Sequence, residues 1–171
     1  MIHINKLKNM KNKEFIIKAI MSGLLIGLCA DINNRIGGLC GAFLFSIGLL
    51  TICMLELSLF TGKVGSRNDV KELFITLVLN IFGVIIMRAI FTFNNMFTLG
   101  IGCGMLMQIG VTAYKKNLPI LTIMCVMAFI LAGYKHCIAY VYNSLDIINF
   151  VLIVLGNIVG AKICYYGGVK P

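Results

Sequence analysis

Lys135 and His136 stand side by side inside an apolar stretch, Ala128–Asn143 (AFILAGYKHCIAYVYN). The stretch breaks at Gly133 and resumes with Ile138, Ala139 and Val141. A cation and a titratable imidazole are costly in such a setting, so they normally face a bundle interior or a water-filled cavity. Imidazole is the side chain suited to give or take a proton near neutral pH. Two readings stand. Either His136 hydrogen-bonds a neighbouring helix, or it lies beside a transport pathway where a Gly-interrupted helix unwinds. Cys137 beside it makes no nucleophile–base pair, because adjacent helix residues point apart. No metal-ligand set or nucleotide loop accompanies it, so neither an enzyme nor a cofactor or metal is expected.

The elements that must position these residues follow from composition. The chain has 171 residues, 60% of them hydrophobic, and a mean hydropathy of +0.97. That is the composition of an all-α integral membrane protein rather than of a soluble core. A span takes about 20 residues, and six candidates fill the chain: 15–30, 36–61, 73–93, 96–114, 118–143 and 147–166. The domain reading is a basic tail over 1–14, a six-span channel domain over 15–166 and a short tail over 167–171.

A net charge of +9 does not point to nucleic acid, because the cations are placed by side. Lys6, Lys8, Lys11, Lys13 and Lys18 lead the chain; Lys63, Arg67 and Lys71 fill the second linker; Lys115 and Lys116 fill the fourth; Lys162 and Lys170 lie near the end. The odd linkers hold Asp31 with Arg35, then uncharged Asn94–Asn95, then Asp146. With six spans every basic segment falls on one face, so the positive-inside rule puts both termini in the cytoplasm of a cell or inner membrane. Seven cysteines lack CxxC pairing and read as small packing residues, not as a disulfide framework.

Within the spans, Gly23 and Gly27, and again Gly156 and Gly160 around Asn157, make small-xxx-small faces for close helix approach. Gly100, Gly102 and Gly104 do the same in the fourth span, where Gln108 is the one strong polar group. Arg88, near the outer end of the third span, reads as a snorkelling arginine. In the second span, Ser58, Thr61 and Gly62 can satisfy backbone groups where a helix unwinds; the plainer alternative is one helix ending at Gly62. Each half of the chain places a long, interrupted segment second and closes on a related string, NIFGVIIM from Asn80 and GNIVGAKI around Asn157. Three spans per half insert with opposite orientation. The expected architecture is therefore two inverted three-helix repeats with interrupted second and fifth helices, an arrangement that marks a transport pathway.

Four strings in order resemble motifs of the formate/nitrite transporter family. They are FSIGL at Phe45–Leu49, SLFTGK at Ser58–Lys63, AFILAGYKHCIA at Ala128–Ala139 and LGNIVG at Leu155–Gly160. The resemblance implies an aquaporin-like fold assembled as a homopentamer in the lipid bilayer, with one pore per protomer. It implies passage of small monovalent weak-acid anions such as formate, nitrite, hydrosulfide or short carboxylates. By motif match, the central histidine is His136, the loop threonine Thr61, and the hydrophobic constrictions Phe45, Leu49, Leu59, Phe60 and Phe129. An apolar ring opposes ions because dehydration is costly, and a weak acid evades that cost by taking a proton.

The chain also departs from the family pattern. Lys135 stands where the family has a glutamate before the histidine, Tyr140 where it has an asparagine, Ser58 where it has an acidic residue, and Gly104 where the fourth helix carries an asparagine. Lys135 is therefore assigned to the pathway as the cation that draws anions in. The alternative is a degenerate, non-transporting membrane interaction subunit of the same fold. Paired NPA-type motifs of aquaporins are absent from the sequence.

Overall fold

The computed structural model describes the backbone from Ile2 and the side chains of residues 12–171; Lys6, Lys8 and Lys11 of the expected tail lie outside the described side chains. Among the described residues eight helices follow one another: α1 (Ile2–Ile36), α2 (Gly38–Met54), α3 (Phe60–Lys63), α4 (Val70–Thr92), α5 (Met96–Lys115), α6 (Pro119–Leu131), α7 (Cys137–Asn143) and α8 (Ile147–Tyr166). There is no strand among the described residues. Four helices, α1 from Asn12, α4, α5 and α8, are long and apolar enough to cross a membrane. The outer faces of α4 and α8 carry Phe74, Val78, Phe82 and Ile85, and Ile148, Val151, Leu155 and Ile158, all exposed. Apolar surface on that scale suits lipid and not water, so the fold is that of an all-α integral membrane protein.

α1 does not stop at Ala30, where the first span was expected to end. Asp31 and Arg35 form an i,i+4 ion pair along it, and such a pair supports one further turn. The turn into α2 is then made at Gly37, whose φ of +69° is one that glycine adopts without strain. The N-termini of α4, α5 and α8 are capped by side chains. Asp69 accepts from the Lys71 and Glu72 amides, Asp146 from the Asn149 amide, and Asn95 forms a reciprocal capping box with Thr98.

α1 packs on α4 and α2, and α5 packs on α8 and α6. The small residues read from the sequence are what let these axes close up. A Cβ on Gly23 would collide with the Asn80 carbonyl, and one on Gly104 with the Asn157 carbonyl; Gly83 meets the α1 backbone and Gly160 the α5 backbone in the same way. Met21, Leu25, Leu28, Leu44, Ile47, Leu106 and Ile109 fill the space that remains at the centre.

Candidate functional site

The site is built from two interruptions. α2 ends at Met54 and α3 starts at Phe60; α6 ends at Leu131 and α7 starts at Cys137. Unwinding therefore falls at residues 55–59, upstream of Gly62, and Thr61 and Gly62 are helical within α3. The single helix ending at Gly62 is excluded.

The two interruptions match step by step. After α2, the amides of Leu55, Glu56 and Leu57 donate to the carbonyls of Thr51, Cys53 and Ile52. After α6, those of Ala132, Gly133 and Tyr134 donate to Ala128, Ile130 and Phe129. The chain turns through the left-handed region at Glu56 (φ +50°) in one and at Gly133 (φ +74°) in the other. It restarts from an extended residue, Leu59 (φ −104°, ψ 128°) or His136 (φ −92°, ψ 123°). Neither side chain caps the new helix.

The unpaired backbone groups are met by one asparagine on each neighbouring helix. Asn80 Oδ1 accepts from the Phe60 amide at 2.8 Å, while its Nδ2 donates to the carbonyls of Ser58 at 2.9 Å and Ala19 at 2.7 Å. Asn157 Oδ1 accepts from the Cys137 amide at 2.9 Å, and its Nδ2 donates to Lys135 at 2.8 Å and Gly100 at 2.9 Å. An amide side chain suits this task because it carries an acceptor and two donors in one plane. Broken helices persist at membrane depth only where such partners satisfy the freed backbone. Reading the residues singly left these asparagines unassigned. The signal that finds them is the repeated N-I-x-G of Asn80–Gly83 and Asn157–Gly160.

His136 stands at the second restart, half-buried, with its ring centroid 5.9 Å from that of Phe129. Its Nδ1 is buried and has no hydrogen-bond partner among the described residues. Lys135 is also half-buried; its amide donates to the Leu99 carbonyl and its carbonyl accepts from Asn157. No carboxylate lies within ion-pair reach of its ammonium among the described residues. Leu59, Phe60, Phe45 and Phe129 are half-buried, and Phe45, Leu59 and Phe129 pack on the common core. Leu49 is 49% exposed, and Thr61 is exposed on α3. His136 and Phe129 are thus brought together, whereas no hydrogen bond joins Thr61, Lys135 and His136 side chains to one another among the described residues.

Two polar clusters flank these breaks. Beside the first, Lys63 Nζ donates to Ser58 Oγ at 3.0 Å and to Glu72 Oε1 at 3.2 Å, over the Phe15 ring at 5.3 Å. It lines a cavity of about 430 Å³ shared with Lys18, Glu56 and Arg67. Beside the second, the Tyr134 hydroxyl donates to Asp31 Oδ2 at 2.7 Å, and the same oxygen accepts from Arg35 Nε. Arg35 also donates to Asn94 and lies over the rings of Tyr134 and Phe91, which stack at 5.4 Å. Asp31 and the exposed Arg88 line a further cavity of about 460 Å³ between α1 and α4. Tyr134 thereby ties the α6–α7 break to α1, a link that the sequence gives no means of pairing. Compared with models of protein families, with curated proteins and with solved structures, the chain matched none.

Proposed function

We propose that the protein is a membrane channel or transporter for small monovalent weak-acid anions, a divergent member of the formate/nitrite transporter type. In this reading α2–α3 and α6–α7 each make one interrupted span, so that α1–α4 and α5–α8 are two inverted three-span halves of an aquaporin-like protomer. The observation that carries the reading is the pair of matched breaks, each held by one asparagine and each restarting at a residue assigned to the pathway, Leu59 in one half and His136 in the other. Interrupted helices at corresponding positions of two halves are how transporters build a site near the membrane midplane.

The chemistry follows from the residues. Leu59, Phe60 and Phe129 oppose a bare anion, because stripping its water in an apolar ring is costly. Lys135, free of any carboxylate partner among the described residues, raises the local concentration of anions. A weak-acid anion that takes a proton becomes neutral and crosses the apolar ring, and His136, whose Nδ1 has no hydrogen-bond partner among the described residues, is the group assigned to exchange that proton.

The test is uptake of labelled formate by proteoliposomes, with and without an inward proton gradient. Uptake above protein-free vesicles is expected, together with a lower rate in Lys135→Glu and an altered pH dependence in His136→Ala. Folded protein that passes neither formate, nitrite nor hydrosulfide would leave the non-conducting subunit as the reading that survives.

A further inference from the structure

A cleft of about 960 Å³ opens where the 13–18 stretch of α1, the end of α2, the end of α5 and the segment after α8 converge. Its charged lining is Lys13, Lys18, Lys116 and Lys170, with Glu14 and Glu56. Lys18 is paired with Glu14 at 3.0 Å. Lys13, Lys116 and Lys170 have no carboxylate within ion-pair reach among the described residues. Cations drawn from distant parts of the chain around one space repel each other and focus a positive potential into it. An anion in the cleft relieves that repulsion.

The rest of the wall is apolar, made by Ile17, Met54 and Leu55. Ile17 is 39% exposed and Tyr166, on the rim, 68%, so the cleft opens sideways at the end of α8. That end carries an aromatic and lysine belt. Lys162 lies over the Tyr165 and Tyr166 rings at 5.9 and 5.8 Å, and Lys170 over Tyr165 at 5.1 Å. Tyrosines and lysines closing an apolar helix sit at the headgroup level of a bilayer. The cleft therefore lies at that level, lined by both ammonium groups and apolar side chains.

We propose that this cleft binds an anionic phospholipid, its phosphate held among Lys13, Lys116 and Lys170 and the first stretch of its acyl chains lying along Ile17, Met54 and Leu55. Basic pockets between helices at the cytoplasmic surface take phospholipid headgroups by this chemistry. A free anion would gain nothing from the apolar wall. An excess of lysine on the inner face is expected of any such protein, so the test must separate the cleft from that background. Arg67, Lys71 and Lys115 belong to the same expected face but do not line the cleft.

The experiment is a native mass spectrometry titration of the full chain in mild detergent, with phosphatidylglycerol against phosphatidylcholine. It compares the parent protein with a cleft variant (Lys13→Gln, Lys116→Gln, Lys170→Gln) and with a charge-matched control (Arg67→Gln, Lys71→Gln, Lys115→Gln). The parent and the control should prefer phosphatidylglycerol, and the cleft variant should lose at least about tenfold in affinity for it, because basic residues near a membrane surface hold anionic headgroups. Millimolar inorganic phosphate should not displace the lipid. Equal losses in both variants, or loss in neither, would overturn the proposal, and displacement by phosphate would make this a soluble-anion site. Should the triple cleft variant fail to fold, Lys116→Gln and Lys170→Gln singly must each weaken phosphatidylglycerol binding and leave phosphatidylcholine binding unchanged. The outcome does not depend on whether the protein conducts anions.

Discussion

Glu56 and Gly133 occupy the same point of two matched turns, and only the glycine suits it. At φ +50° the Cβ of Glu56 crowds the following carbonyl, at a cost of about 1–2 kcal/mol for an L-residue in that region. Glu56→Gly should therefore raise the unfolding midpoint in detergent, with a net gain of about 0.5–1 kcal/mol once the added freedom of the unfolded chain is subtracted. Gly133→Ala should lower it by at least about 1 kcal/mol, although nothing lies within 4 Å of the added Cβ. A lower midpoint for Glu56→Gly would mean that Glu56, which lines two cavities, contributes more through its carboxylate than the strain costs. Gly133 was legible as a break from the sequence, because glycine in an apolar run advertises itself. Glu56 was not. A left-handed glutamate has no compositional signal, and its turn becomes visible only when the two halves are laid side by side.

The broken helices are held less by their own residues than by helices α4 and α8. In Asn157→Ala the Cys137 amide and the Lys135 carbonyl lose their partners. At about 1–3 kcal/mol for each unsatisfied group, the loss should be about 2–6 kcal/mol in a denaturation measured in detergent. Asn80→Ala should cost a similar amount, through the Phe60 amide and the Ser58 carbonyl. Only the former should also disturb His136, readable as a changed pH profile of uptake for Asn157→Ala. Identical pH profiles in the two variants would separate the asparagine from the histidine. Helix periodicity, the two interruptions and the glycine faces could all be read from the sequence, because apolar runs and small residues at four-residue spacing are local signals. Asp31, Arg35 and Asn94 were visible only as residues of odd linkers. What joins them is Tyr134, 103 positions from Asp31, and no local pattern encodes a contact at that distance. The exposure of Leu49 belongs to the same class, since which face of α2 meets α1 and α6 depends on tertiary packing.

At the scale of the molecule, exposed apolar faces on α4 and α8 leave the chain either bathed in lipid or packed against copies of itself. The resemblance to formate/nitrite transporters implies the second course, with five protomers, so native mass measurement in mild detergent should give a pentamer and a monodisperse monomer would count against that reading. The charge distribution leads to a sharper expectation. Lys63, Lys71, Lys115, Lys116 and Lys170 follow even-numbered spans, whereas Asn94 and Asp146 follow odd ones when α2–α3 and α6–α7 each cross once. Because the cost of moving a lysine across an apolar layer sets the orientation, all of the first group belong inside. The seven native cysteines are free and can be replaced, after which a single cysteine at position 94, 116 or 146 reports its side to a membrane-impermeant maleimide. Positions 94 and 146 should label in intact cells, and position 116 only after the membrane is opened. Were α6 and α7 instead to re-enter and leave on the same face, the chain would reach α8 from the cytoplasmic side and position 146 would be shielded in intact cells. That one result would remove the inverted halves, and with them the argument that the two breaks form one site near the membrane midplane.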